Sequence, residues 1–154
     1  MDSQEHLQSE SNTYPKVYGN DGSYLVTYTK EEFPEVWDEV YDLLEDVVEH
    51  YGEDMTMGDV FHALKDGNFQ LWTSYKDGKM ECATLTSIQE SRGNRYCVIY
   101  AAAGHNMKAW IGFYNLIEEW AKDMRCTQMR IFGRRGWARV LNMYVHSTEM
   151  RRDL

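Results

Sequence analysis

The spacing of apolar residues changes repeatedly along this chain, and each change marks an element. From 23 to 29, Tyr24, Val26 and Tyr28 alternate with Leu25 and Thr27, the period of two expected of a strand. From Pro34 the period lengthens. Trp37, Val40, Tyr41, Leu44, Val47, Val48 and Tyr51 recur at three- and four-residue steps, which predicts an amphipathic helix with proline in its first turn. Thr56 with Asp59 three residues on announces a second, shorter helix ending near Gly67. The period then returns to two. Residues 69–75 and 79–90 read as a β-hairpin around Asp77 and Gly78, residues that accept the positive φ of a tight turn. A second turn at 91–94 leads to a strand at 95–103 whose apolar run from Val98 predicts burial. The strongest helix comes next, at 107–125, with Trp110, Phe113, Leu116, Ile117, Trp120, Ala121 and Met124 in one stripe. A strand at 127–132, a short helix at 135–143 and a last strand at 144–151 complete the prediction.

This pattern predicts a single α/β (α+β) domain at 23–154, preceded at 1–22 by a polar tail without apolar period. A chain of 154 residues with 43% apolar content can bury one sizeable core. No apolar run is long enough to span a membrane, and the start of the chain lacks the charge and apolar stretch of a signal peptide, so the expected setting is the cytoplasm. Cys82, Cys97 and Cys126 are widely spaced and form no metal-ligand motif, which predicts reduced structural thiols. The net charge of -9 is unevenly placed. Residues 1–68 carry 17 acidic against 3 basic residues, and 69–154 carry 8 against 13. The acidic total argues against non-specific nucleic-acid binding, while the basic half leaves room for a phosphate-bearing ligand.

The element order, with a long helix springing from the end of a strand, resembles the Gcn-type N-acetyltransferases, the GNAT superfamily. A local match sharpens it. Ile117, Glu118, Glu119, Trp120 and Ala121, the Cys126 turn, the segment 133–141 with Gly133, Arg134, Gly136, Trp137, Arg139 and Leu141, and the stretch 64–72 are similar to small GNAT-like proteins of tailed phages. The resemblance covers about residues 32–150 and implies a mixed, mostly antiparallel sheet flanked by helices. It also implies a site where backbone N–H groups at the start of the long helix hold the pyrophosphate of acetyl-CoA. On this sequence that site maps to Ala103, Gly104, His105, Asn106 and Lys108.

The chain also departs from the family. Ala101 stands where the family has Gln or Arg, and Asn106 stands at its second small position, where a side chain would crowd the phosphates. The family's proton-donating tyrosine aligns with Asn142, and Tyr144 lies two residues on. Glu81, Glu90, His105 and Tyr144 are the remaining acid-base candidates. Arg134, Arg135 and Arg139 read either as an anion-recognition cluster or as a clamp on the acidic first helix, whose Asp38, Asp42, Glu45 and Glu49 form an alternative docking face. The resemblance to the phage group, together with these departures, implies a phage-encoded, non-catalytic virion or assembly component with no cofactor as the expected function. Its expected partners are proteins, itself or other virion proteins, in the host cytoplasm or the particle. The alternative is an active acyl-CoA-dependent N-acetyltransferase acting on an amine, with acetyl-CoA as cofactor.

Overall fold

The computed structural model describes residues 17–18, 21–51, 55–131 and 152–153. In chain order it contains β1 (Val17–Tyr18), β2 (Tyr24–Tyr28), a 3-10 turn (Phe33–Val36), α1 (Trp37–Tyr51), α2 (Met57–Lys65), β3 (Gln70–Lys76), β4 (Lys79–Ser91), β5 (Asn94–Gly104), α3 (Met107–Asp123) and β6 (Gln128–Ile131). Among the described residues the strands form one six-stranded sheet in sequence order. Neighbours from β1 to β5 are antiparallel, and β6 runs parallel to β5 with α3 as the crossover. The expected fold class is thus observed. The short edge strand β1 lies within the segment read from sequence as a polar tail. The helix and strand expected at 135–151 lie outside the described residues. Among the described residues no helix is long and apolar enough to cross a membrane.

Turn chemistry sets the register of both hairpins. Asp77 and Gly78 adopt φ of 53° and 77°, and Arg92 and Gly93 adopt 52° and 82°, so each two-residue turn carries positive φ at both central positions. Thr56 caps α2 as predicted. Its hydroxyl accepts from the Asp59 N–H at 3.1 Å, and the Asp59 carboxylate accepts from the Thr56 N–H at 3.0 Å. The helix α3 ends two residues earlier than its periodicity suggests, because Arg125 turns to φ 65°.

Two cores cover the two faces of the sheet. On one, Val40, Leu44 and Val48 of α1 and Val60 and Leu64 of α2 pack on Leu71, Ala83, Leu85 and Ala101. On the other, Ile117, Trp120 and Ala121 of α3 pack on Trp72 and Cys97, while Trp110 and Tyr114 pack on Cys82 and Ile99. Fully burying one large apolar side chain stabilises the fold by about 1.5–3 kcal/mol relative to exposure. A polar relay is buried within the second core: the Trp72 indole N–H donates to Thr86 Oγ1 at 2.9 Å, and that hydroxyl donates to Gln70 Oε1 at 2.9 Å.

One irregularity reshapes the strand that leads into α3. Leu85 pairs with Ala101 but Thr86 pairs with Ile99, so Tyr100 is a bulge in β5. Cys97 and Ile99 face α3 before it, whereas Ala101 and Ala103 pack toward α1 and α2 after it. The single inserted residue has swapped the faces of the strand. Among the described residues β5 pairs with β6 from Tyr96 to Ile99.

Candidate functional site

The end of β5 lies hard against β4. Gly104, at φ 139°, is placed so that a Cβ would overlap the Glu81 carbonyl oxygen and come within 2.7 Å of Cys82 Cα. Those obstacles are backbone and cannot move aside, so only glycine fits. The next residue is fixed at both of its backbone groups. The His105 N–H donates to the Glu81 carbonyl at 2.7 Å, and the His105 carbonyl accepts from the Cys82 thiol. Asn106 then turns left-handed, with φ 54° and ψ 48°, and α3 begins.

Asn106 occupies the N-cap position but makes no side-chain cap. Its amide instead donates to Asp21 Oδ2 at 2.9 Å, Glu81 Oε1 at 3.2 Å and Ser23 Oγ at 3.3 Å. The Ser23 hydroxyl donates to the same Glu81 oxygen at 3.3 Å, and the Ser23 N–H closes an Asx turn onto Asp21 Oδ1 at 3.0 Å. Lys76 Nζ stands 3.7 Å from Asp21 Oδ2. The Asn106 amide, with Ser23 and then Lys76 assisting, holds the Asp21 carboxyl well below the usual carboxylate range. The start of α3 carries neither a side-chain cap nor an acidic residue in its first turn. Its first intrahelical bonds are donated by Ala109 and Trp110 to the Asn106 carbonyl, so the N–H groups ahead of them have no partner within the helix. Lys108 is exposed in this turn.

The structure sorts the remaining candidates. Glu81 is half-buried and tied to the loop by its carbonyl and its carboxylate. Glu90 sits at the opposite end of the β4–β5 hairpin, 3.0 Å from Arg95, away from the loop. His105 is exposed beside the loop. Ala103 is part-buried against the α1 side of the core. Asp38, Asp42 and Glu49 are exposed on α1 and Glu45 is half-buried, on the face of the sheet opposite α3. Arg134, Arg135, Arg139, Asn142 and Tyr144 lie outside the described residues. Burial pushes the Cys82 thiol up to about 11 and that of Cys97 to about 12, so both are protonated at neutral pH. Asp21 and Ser23 are site residues that sequence reasoning missed. The Asp21, Gly22, Ser23 turn signal was available, but nothing in it pointed to a residue 85 positions away.

The structure gives both substituted positions a local role. Ala101 is 5% exposed in the core under α1 and α2, because the bulge turns it there, so it is a packing residue. The Asn106 side chain is drawn off by Asp21, Ser23 and Glu81 and does not cap the helix start it was expected to crowd.

No family model matches the sequence, and no curated protein matches it. Solved structures do. An aminoglycoside acetyltransferase from an uncultured soil metagenomic sample superposes with a TM-score of 0.64 at 10% identity, over 88% of this chain and 98% of its own. An aminoglycoside antibiotic 6'-N-acetyltransferase from Acinetobacter haemolyticus gives 0.60 at 12% identity, over 84% and 97%. A ribosomal-protein-alanine N-acetyltransferase from Brucella melitensis gives 0.55 at 10% identity, over 86% and 96%. These likenesses overturn the expectation of a non-catalytic virion or assembly component: all three of these structures are acetyltransferases, and the loop changes behind that expectation are a core alanine and a tethered asparagine. The chain has the fold of the Gcn-type N-acetyltransferases.

Proposed function

We propose that this protein is an acyl-CoA-dependent N-acyltransferase that binds its cofactor at the 104–108 loop. The carrying observation is the join between β5 and α3. A glycine backbone pressed onto β4 leads directly into a helix start with no cap, no acidic residue and an exposed lysine. Such a start offers aligned N–H donors and the positive end of a helix dipole, which suits a pyrophosphate. Lys108 adds a point charge beside it.

The cofactor, when bound, supplies an acyl group already activated as a thioester. The chain's part is to hold and orient. Glu81 is committed to Asn106 and Ser23 and is assigned to holding the loop. Of the acid-base candidates that the structure describes, His105 is the exposed one at the loop, which supports it as the group that takes a proton from an incoming amine. Two of the three superposed enzymes are named as N-acetyltransferases, which supports a nitrogen acceptor.

The test is turnover. Incubation with acetyl-CoA and a panel of primary amines, including an aminoglycoside and an N-terminal alanine peptide, should convert at least one amine to its acetamide, detected by mass spectrometry. Absence of any acetamide, together with absence of acetyl-CoA binding, contradicts the proposal.

A further inference from the structure

The cofactor loop holds an asparagine in a left-handed conformation, and the groups that keep it there come from outside the loop. A non-glycine residue at φ 54° is strained by contact of its Cβ with its own backbone, although asparagine tolerates this better than most. Left to itself, such a residue samples other conformations. Here its amide is engaged by the carboxylates of Asp21 and Glu81 and by the Ser23 hydroxyl. These groups come from separate places: Asp21 and Ser23 precede and adjoin β2, and Glu81 lies near the start of β4. The clamp is also supported from behind. Ser23 is fully buried, its N–H fixes Asp21, and Lys76 of β3 offsets one of the two carboxylates. That offset matters, because two uncompensated carboxylates would repel a phosphate-bearing ligand.

We propose that Asp21, Ser23 and Glu81 are positioning residues that hold Asn106 left-handed, so that the loop is preformed for the cofactor. Neither Asp21 nor Ser23 lies on the loop or on α3. The functional consequence rests on the acyl-CoA reading of the site, but the clamp itself concerns only the conformation of residues 104–108. If only a fraction of molecules carries the binding-competent loop, apparent affinity falls by that fraction. A glycine at 106 needs no clamp, since it adopts positive φ without steric cost. The clamp and the glycine are therefore alternative solutions, and each should make the other dispensable.

The experiment uses the full chain with Asp21→Ala, Glu81→Ala, and each of these combined with Asn106→Gly. Coenzyme A and acetyl-CoA affinity is measured by calorimetry, and amide hydrogen exchange over 104–108 is measured without ligand. Asp21→Ala and Glu81→Ala, which remove the acceptors of the Asn106 amide, should each weaken cofactor binding about tenfold and speed exchange in the loop by a similar factor, as a loop shifted out of its competent state requires. Adding Asn106→Gly should return affinity to within about threefold of the wild type. A purely structural role for Asp21 would lower the melting temperature without glycine rescue of binding, and that result overturns the proposal. Unchanged exchange in both single variants overturns it as well. If the wild type binds no coenzyme A, the acyltransferase reading fails separately, and loop exchange alone then decides the clamp: faster in the variants upholds it, unchanged refutes it.

Discussion

Gly104 and Glu81 touch backbone to backbone: a Cβ on the glycine would overlap the glutamate's carbonyl oxygen, and the next N–H of the chain donates to that same oxygen at 2.7 Å. This contact sets where β5 leaves the sheet and where α3 begins. It therefore sets the candidate site.

The first prediction comes from that contact. Gly104→Ala combines an unyielding clash with a backbone conformation that L-residues rarely adopt, and should cost about 2–5 kcal/mol in a urea unfolding titration. Gly112 is the control. It lies exposed within α3, and a methyl group added there would meet nothing within 4 Å, so Gly112→Ala should stabilise the protein by about 0.5–1 kcal/mol. Equal effects at the two positions would refute the packing described for Gly104.

The buried relay under α3 gives the second. Thr86 accepts the Trp72 indole N–H and donates to Gln70 Oε1. Thr86→Val keeps the shape but strands both partners, and should cost about 2–4 kcal/mol, whereas Thr86→Ser should cost less than about 1.5 kcal/mol. Chemical denaturation followed by tryptophan fluorescence distinguishes the two. A harmless valine would mean that the relay does not exist.

The third concerns pH. The Asp21 carboxyl is held below its ordinary value of 3.8 by Asn106 first, then by Ser23 and Lys76. A group whose folded pKa is depressed contributes stability that is present above its unfolded pKa and lost as pH falls toward the folded one. The stability difference between wild type and Asp21→Asn should therefore be constant from pH 7 down to about 5 and shrink below about 4. A difference that grows on acidification would show the opposite sign and remove Asp21 from the clamp.

Cysteine reactivity supplies the fourth. Cys82 and Cys97 are buried thiols with raised pKa, and Cys126 is half-buried. At pH 7 a disulfide reagent should label Cys126 first and the other two only on unfolding. Fast labelling of Cys82 in the native protein would mean that the loop against it opens.

Most of the fold was legible because periodicity and turn chemistry are local. The capping box at Thr56 and Asp59, the Asp77 and Gly78 turn and the α3 stripe are each specified within a few residues, and each is realised. What sequence could not show was long-range. The bulge at Tyr100 inserts one residue into an unbroken apolar run and reverses which way Ala101 points, and no local pattern announces it. Asp21 sits in a segment without apolar period, and its part in the site exists only through a contact with Asn106 across 85 positions. Gly104 was legible as a glycine before a helix, whereas the reason it must be glycine, the carbonyl of Glu81, was not.

Binding of an acyl-CoA at the start of α3 is tested most directly by titrating the protein with acetyl-CoA while its melting temperature is recorded, beside the variant Lys108→Glu. Glutamate in the first turn interacts favourably with the helix dipole, so the unliganded variant should melt at or above the wild-type temperature. It also places a negative charge where the phosphates would lie. Millimolar acetyl-CoA should raise the wild-type melting temperature by several degrees, as a ligand bound only to the native state at about 100 times its Kd must, and Lys108→Glu should abolish most of this rise. No rise in the wild type, or an equal rise in both proteins, would contradict binding at this site.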